Sequence, residues 1–158
     1  MTQKNLLVRS LLIGAATVLA STSFAGENWV GSWKLNAAKS QSGTAPAPRA
    51  QTLKFEATPA GIKLTSDGTD ADGKPMHGGY VSKFDGNDVP WAGNPVADVA
   101  CPKKVDDNSY ENVWKKDGKP TVSATVAVSK DGKTLTITQT GKDPSGAAVN
   151  SMAVYDRQ

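Results

Sequence analysis

Apolar and polar residues alternate along most of the chain after residue 50, in short runs separated by turn sequences. Leu53 and Phe55 alternate with polar residues, and the longest run places an apolar residue at every second position from Val122 to Val128. A period of two is typical of a strand with one buried face, and Val and Thr suit such strands. The pattern therefore predicts a series of half-buried β-strands.

Asp-Gly pairs separate several of these runs, at 72–73, 85–86, 117–118 and 131–132. This dipeptide supplies the positive φ that tight hairpin turns require. No segment after residue 50 has a helical period, and one helical turn is expected at 36–40, before a Pro-rich connection. Ten strands are predicted, at 28–35, 51–58, 61–67, 76–84, 88–92, 97–104, 109–116, 120–129, 133–140 and 147–156.

Short hairpin connections between consecutive strands decide between the possible all-β architectures. They favour an up-and-down meander, because Greek keys need longer crossovers. Closing the meander into a barrel removes its edges and pairs the first strand with the last. The predicted fold is thus an all-β, antiparallel up-and-down β-barrel of about 8–10 strands, with a two-layer sandwich as the alternative.

The N-terminus has the three parts of a secretory signal peptide. Lys4 and Arg9 precede an apolar run, and the small residues Ser23 and Ala25 follow it. The run is shorter than the roughly 20 residues of a transmembrane helix. We therefore expect a signal peptide at 1–25, cleavage after Ala25, and export to the periplasm or beyond. Residues 26–158 form one domain without a transmembrane segment.

Loss of the signal peptide also changes the charge. Without Lys4 and Arg9, 16 of the 18 Lys and Arg residues remain against 15 Asp and Glu. Nucleic-acid binding needs a basic patch that neutralises phosphates, whereas the basic residues here are scattered along the chain. Nucleic acid is therefore not an expected partner.

The stretch Gly31-Ser32-Trp33 resembles the G-x-W motif that opens the first strand of lipocalins, and residues 30–35 also resemble the start of fatty-acid-binding proteins. Both families belong to the calycin superfamily of small up-and-down barrels. The chain further resembles small exported bacterial proteins that begin G-x-W-K-L-N-x-A-K-S, which have no established activity. The calycin resemblance implies that Gly31 and Trp33 lie at the closed end of a barrel. It also implies that a basic side chain near the end of the last strand covers the tryptophan, a place that Arg157 can take.

Few constellations of residues could support catalysis. His77 is the single histidine, so a cluster of histidines cannot form a metal site. The acidic stretch 67–73 lacks the carboxylates that an EF-hand loop needs at its first and last positions. Cys101 is the single cysteine and is expected to be a buried small residue or to form an intermolecular disulfide. We predict no catalytic residue, metal or cofactor, and hence not an enzyme.

The predicted interior supplies the candidate binding residues. Alternation directs several aromatic and polar side chains inward, across from the small residues Ser82, Ala124 and Ala153. Large and small side chains can interdigitate in a filled core or leave a cavity. The expected function is binding of a small apolar or amphipathic ligand. The alternative is a structural or interaction protein with a filled barrel, and the oligomeric state stays open. The candidate ligand-binding residues are Tyr80, Trp91, Tyr110, Asn112 and Trp114.

Overall fold

The computed structural model of the protein describes residues 27–43 and 46–158, so the predicted signal peptide lies outside the described residues. All ten predicted strands are present, and their bounds differ from the prediction by at most three residues. The predicted helical turn is a 3-10 turn at Ala37–Lys39, and within the described residues no helix is long and apolar enough to cross a membrane. The strands are β1 (Gly31–Leu35), β2 (Ala50–Thr58), β3 (Gly61–Thr69), β4 (Pro75–Ser82), β5 (Val89–Pro90), β6 (Val99–Lys104), β7 (Ser109–Lys116), β8 (Lys119–Val128), β9 (Thr134–Lys142) and β10 (Ala148–Arg157).

The strands form one antiparallel sheet in the order β4-β3-β2-β1-β10-β9-β8-β7-β6-β5. Each strand pairs with the next along the chain except β4 and β5, which are the two edge strands. In addition β1 pairs with β10, with Trp33 opposite Arg157. The predicted pairing of the first strand with the last is therefore confirmed. The all-β up-and-down fold is also confirmed, and the sandwich alternative is wrong.

The sheet curls until its two edge strands, β4 and β5, meet along a short seam. Gly79 and Ala92 exchange two backbone hydrogen bonds there, of 3.0 and 3.1 Å. A Cβ atom on Gly78 would lie 2.5 Å from the Ala92 carbonyl oxygen, so the double glycine permits this close approach. The result is a nearly closed barrel.

Large side chains fill one end of the barrel, which we call the closed end. Trp29 and Trp33 are both fully buried, and the Trp33 indole donates a hydrogen bond of 2.7 Å to the Trp29 carbonyl. The Trp29 ring packs against Phe84 and Tyr110, at centroid distances of 5.8 and 5.3 Å. The two tryptophans, four residues apart, thus close this end of the lumen from inside.

Arg157 covers the closed end from outside. Its guanidinium carbon lies 4.1 Å from the centroid of the Trp33 ring, within the range of a cation–π contact. The same group donates hydrogen bonds to the carbonyls of Asn28, Val30 and Gly132. Arg157 therefore ties the chain before β1 to the turn between β8 and β9. Gly31 has φ +137°, and a Cβ there would lie 2.6 Å from this guanidinium, so glycine leaves room for it.

Candidate ligand-binding cavity

On several strands the inward side chains become smaller from the closed end toward the other end, which we call the mouth. On β3 and β4 the inward pair Leu64–Tyr80 is followed by Ser66–Gly78. On β8 the inward Val126 is followed by Ala124. Because small residues cannot reach across the lumen, this half of the barrel is left hollow.

The hollow is a cavity of about 540 Å³ that runs from the buried core to the loops at the mouth. Its volume falls within the roughly 300–1,000 Å³ of small-molecule sites in proteins. The loops at the mouth contribute Pro46, Pro48, Asp70, Asp72 and Asp143, among others. The aromatic side chains that line the cavity are Phe55, Tyr80, Trp91, Tyr110, Trp114 and Tyr155.

The structure brings all five candidate binding residues together on this lining: Tyr80, Trp91, Tyr110, Asn112 and Trp114. Three of them follow one strand, β7, at alternate positions from the core toward the mouth. The register of β7 against β8 shifts between Trp114 and Lys115. Such irregularities re-aim side chains and are frequent near binding sites, and this one is directly beside Trp114.

One set of polar groups lies deep in the cavity and is pre-organised by internal hydrogen bonds. The Asn112 amide nitrogen donates to the Tyr80 hydroxyl at 3.4 Å, and its oxygen accepts from the Cys101 backbone N–H at 3.0 Å. Burial raises the pKa of Tyr80, and burial followed by the neighbouring Tyr80 raises that of Tyr110. Both phenols therefore stay neutral at physiological pH.

A second polar set was not predicted. The Tyr155 hydroxyl donates to the Gln51 side-chain oxygen at 2.7 Å, and the Gln51 amide donates to the Ser66 hydroxyl at 2.8 Å. Gln139 lines the same cavity. A sequence signal existed for all four residues, because each lies two positions along its strand from a residue expected to point inward. Gln51 is two residues from Leu53, Ser66 from Leu64, Gln139 from Ile137 and Tyr155 from Ala153.

The Trp114 indole N–H is the unsatisfied group of the cavity. It is buried, and it has no hydrogen-bond partner in the described part of the chain. The Trp114 ring stands edge-on to Trp91, with centroids 5.0 Å apart, and Trp91 stands edge-on to Tyr80 at 5.2 Å. A buried donor without a partner is costly, and protein atoms cover this nitrogen, so it does not open onto the cavity.

Other residues from the sequence analysis lie at the border of the cavity or outside it. His77 is exposed at the mouth beside the Asp67 carboxylate. Ser82 is buried near the closed end, where its hydroxyl accepts from the Phe84 N–H, so it does not widen the cavity. Cys101 is half-buried rather than buried, because it faces outward against the Gly86 carbonyl. Ala153 lines a smaller pocket of about 150 Å³ beside the main one.

The connection between β1 and β2 passes over the mouth. Gln41 exchanges two backbone hydrogen bonds with Met152, both of 2.7 Å. At the other end, Arg49 donates to the carbonyls of Thr69 and Ala71, at 3.0 and 2.9 Å. Pro46 and Pro48, between these anchors, line both the main cavity and the smaller pocket.

Comparisons with known proteins identify no family. No protein-family model matches the chain, and no curated protein matches it. Two solved structures are similar. A de novo designed fluorescence-activating beta barrel is 14% identical over 85% of this chain and 97% of its own, with a TM-score of 0.43. EF1p2_mFAP2b bound to DFHBI is 14% identical over 83% and 94%, with a TM-score of 0.42. Both values are too low for either likeness to carry an argument about this chain.

Proposed function

We propose that the protein is an exported, lipocalin-like β-barrel that binds a small apolar or amphipathic ligand in its cavity, without catalysis. The observation that carries this proposal is the cavity of about 540 Å³, lined by six aromatic side chains and a few polar groups. An apolar pocket with few convergent polar groups is the usual composition of a small-molecule site. The volume of the cavity favours this function over the alternative of a filled barrel.

The arrangement of the polar groups supports a pre-formed site. Tyr155, Gln51 and Ser66 bond to one another on one wall, and Asn112 and Tyr80 on another. Because these contacts hold the side chains in place before any ligand arrives, little conformational entropy is lost on binding.

Native mass spectrometry of the protein purified from its own host, with small molecules retained, tests this function. The matched variants are Ala124→Phe, which fills the cavity, and Thr125→Phe, which adds the same ring at the neighbouring exposed position of β8. We expect a bound species in the wild type and in Thr125→Phe that is lost in Ala124→Phe. A ligand that persists in Ala124→Phe would place binding elsewhere on the barrel.

Export is proposed from the N-terminal sequence alone. Mass spectrometry of the protein from the envelope or medium of its host should find a chain that starts at Gly26. A full-length chain in the cytoplasm would contradict this part of the proposal and leave the cavity argument intact.

A further inference from the structure

The charged groups around the cavity constrain the chemistry of the ligand more than the volume of the cavity does. Among the residues that the structure describes, no Lys or Arg lines the cavity. Its carboxylates are Asp70, Asp72 and Asp143, and its single histidine is His77. All four lie in or beside the mouth, so the deep part of the cavity is lined by uncharged side chains.

Carboxylates at the mouth are built into its turns by hydrogen bonds. The Asp70 side chain accepts the N–H groups of Asp72 and Lys74, at 2.9 and 2.8 Å. The Asp143 side chain accepts hydrogen bonds from Ser145 and the Ala147 N–H. Arg49 is bonded to the Ala71 carbonyl next to the mouth, but it is not part of the lining.

An anionic ligand would therefore enter past carboxylates and find no cation inside. Burying an ionised carboxylate without a charged partner is among the largest penalties in protein interiors. Fatty acids, which many small barrels could accommodate by size, carry this charge. An uncharged ligand avoids the penalty.

The aromatic walls specify what an uncharged ligand should offer. Tyr80, Trp91 and Trp114 stand edge-to-face with one another, an arrangement that favours further aromatic rings. The ligand that we expect is therefore aromatic.

We propose, on the basis of the binding function above, that the cavity takes uncharged aromatic molecules and excludes carboxylates of the same shape. The rings occupy the aromatic half of the lumen, and the mouth carboxylates add repulsion against anions.

Two probes of nearly equal shape test the charge selectivity: anthracene-9-carboxamide and anthracene-9-carboxylate, titrated at pH 7 and followed by their fluorescence anisotropy. Both carry an acceptor oxygen, and they differ in charge. We expect the amide to bind the full-length mature protein at least about tenfold more tightly. Equal binding, or tighter binding of the carboxylate, would overturn the inference while leaving the cavity as a binding site.

A variant that is expected to gain affinity provides a test that a general loss of binding cannot imitate. Gln139→Lys places an ammonium on the lining, and should strengthen the carboxylate probe at least about fivefold relative to the amide. An unchanged ratio would contradict the electrostatic explanation. Failure of both probes to bind the wild type would overturn the proposed function itself, and this outcome is distinct from a failure of selectivity alone.

Discussion

The two ends of the barrel are built from the same strands and the same aromatic residue types, yet one is packed and the other is hollow. At the closed end, Phe84 and Tyr110 meet at a centroid distance of 4.8 Å above Trp29. Toward the mouth, Trp91 and Trp114 are about as close to each other, but the lining around them includes the small residues Ala124, Ser66 and Gly78.

The difference shows that aromatic content alone does not decide whether a small barrel has a core or a cavity. A large ring fills a layer only if the opposite strands also supply large side chains at that level. The closed end adds a positive φ of 57° at Phe84, a conformation uncommon for a bulky residue that persists only where the surrounding packing imposes it. Stability is therefore expected to depend on the closed end and binding on the mouth.

The largest expected effect comes from truncating a tryptophan at each end. Trp33→Ala should lower the free energy of unfolding by about 3–5 kcal/mol, because the side chain is fully buried. Trp114→Ala should cost about 1–2 kcal/mol, because its ring is only half-buried and borders a cavity. Urea denaturation followed by circular dichroism measures both. Equal losses would contradict the division between the two ends.

Enlarging one alanine in the packed core and one on the cavity lining provides the reverse test. Ala100 is fully buried in the packed core, so Ala100→Phe should destabilise the fold by about 1–3 kcal/mol through overpacking. Ala124 faces the cavity, so Ala124→Phe should change the stability by less than about 1 kcal/mol. The melting temperatures of the two variants, compared with wild type, separate these outcomes. A larger loss in Ala124→Phe would mean that the cavity has no room for the ring.

Two arginines give a smaller contrast. Arg157→Met removes a cation–π contact and three hydrogen bonds to carbonyls, and should cost about 1–2 kcal/mol. Arg49→Met at the mouth removes one side-chain hydrogen bond and should cost less than about 0.5 kcal/mol. Chemical denaturation of the two variants in parallel checks the ranking, which a larger effect of Arg49→Met would reverse.

The smallest effect concerns acid stability. Hydrogen bonds from Ser129 first and the Lys133 N–H next lower the pKa of Asp131, in a turn at the closed end. Those from Ser145 and the Ala147 N–H lower the pKa of Asp143 at the mouth. A carboxyl whose pKa is lower in the folded state stabilises the protein above its unfolded value and loses that contribution as the pH falls through the folded value.

The window for both groups therefore lies below their ordinary value of 3.8. We expect Asp131→Asn and Asp143→Asn each to make the denaturant midpoint less dependent on pH between about 4 and 2. Only Asp143→Asn should also strengthen the anionic probe, because Asp143 alone of the two lines the cavity. A change in anion affinity in Asp131→Asn would indicate a long-range effect of net charge instead.

Much of the architecture followed from local sequence. The alternation in β2, β3, β8 and β9 defined which face is buried, since side chains on a strand project alternately to its two sides. Asp-Gly turns determined which strands are hairpin neighbours, and hence the meander. The same periodicity directed Tyr80, Tyr110 and Asn112 inward, because a register set by one buried face leaves no freedom to slip by one residue.

Tertiary structure alone decided whether those inward positions form a packed core or line a cavity. Whether Trp114 fills the lumen or borders a cavity depends on residues of other strands, such as Ser66 and Gly78, which line the same cavity but are far from it in the chain. The pairing of Tyr155 with Gln51 joins residues 104 positions apart. Arg157 reaches carbonyls at both Asn28 and Gly132 only after closure. Periodicity predicts the direction in which a side chain points. The free volume around that side chain depends on the other strands that closure of the barrel brings close to it.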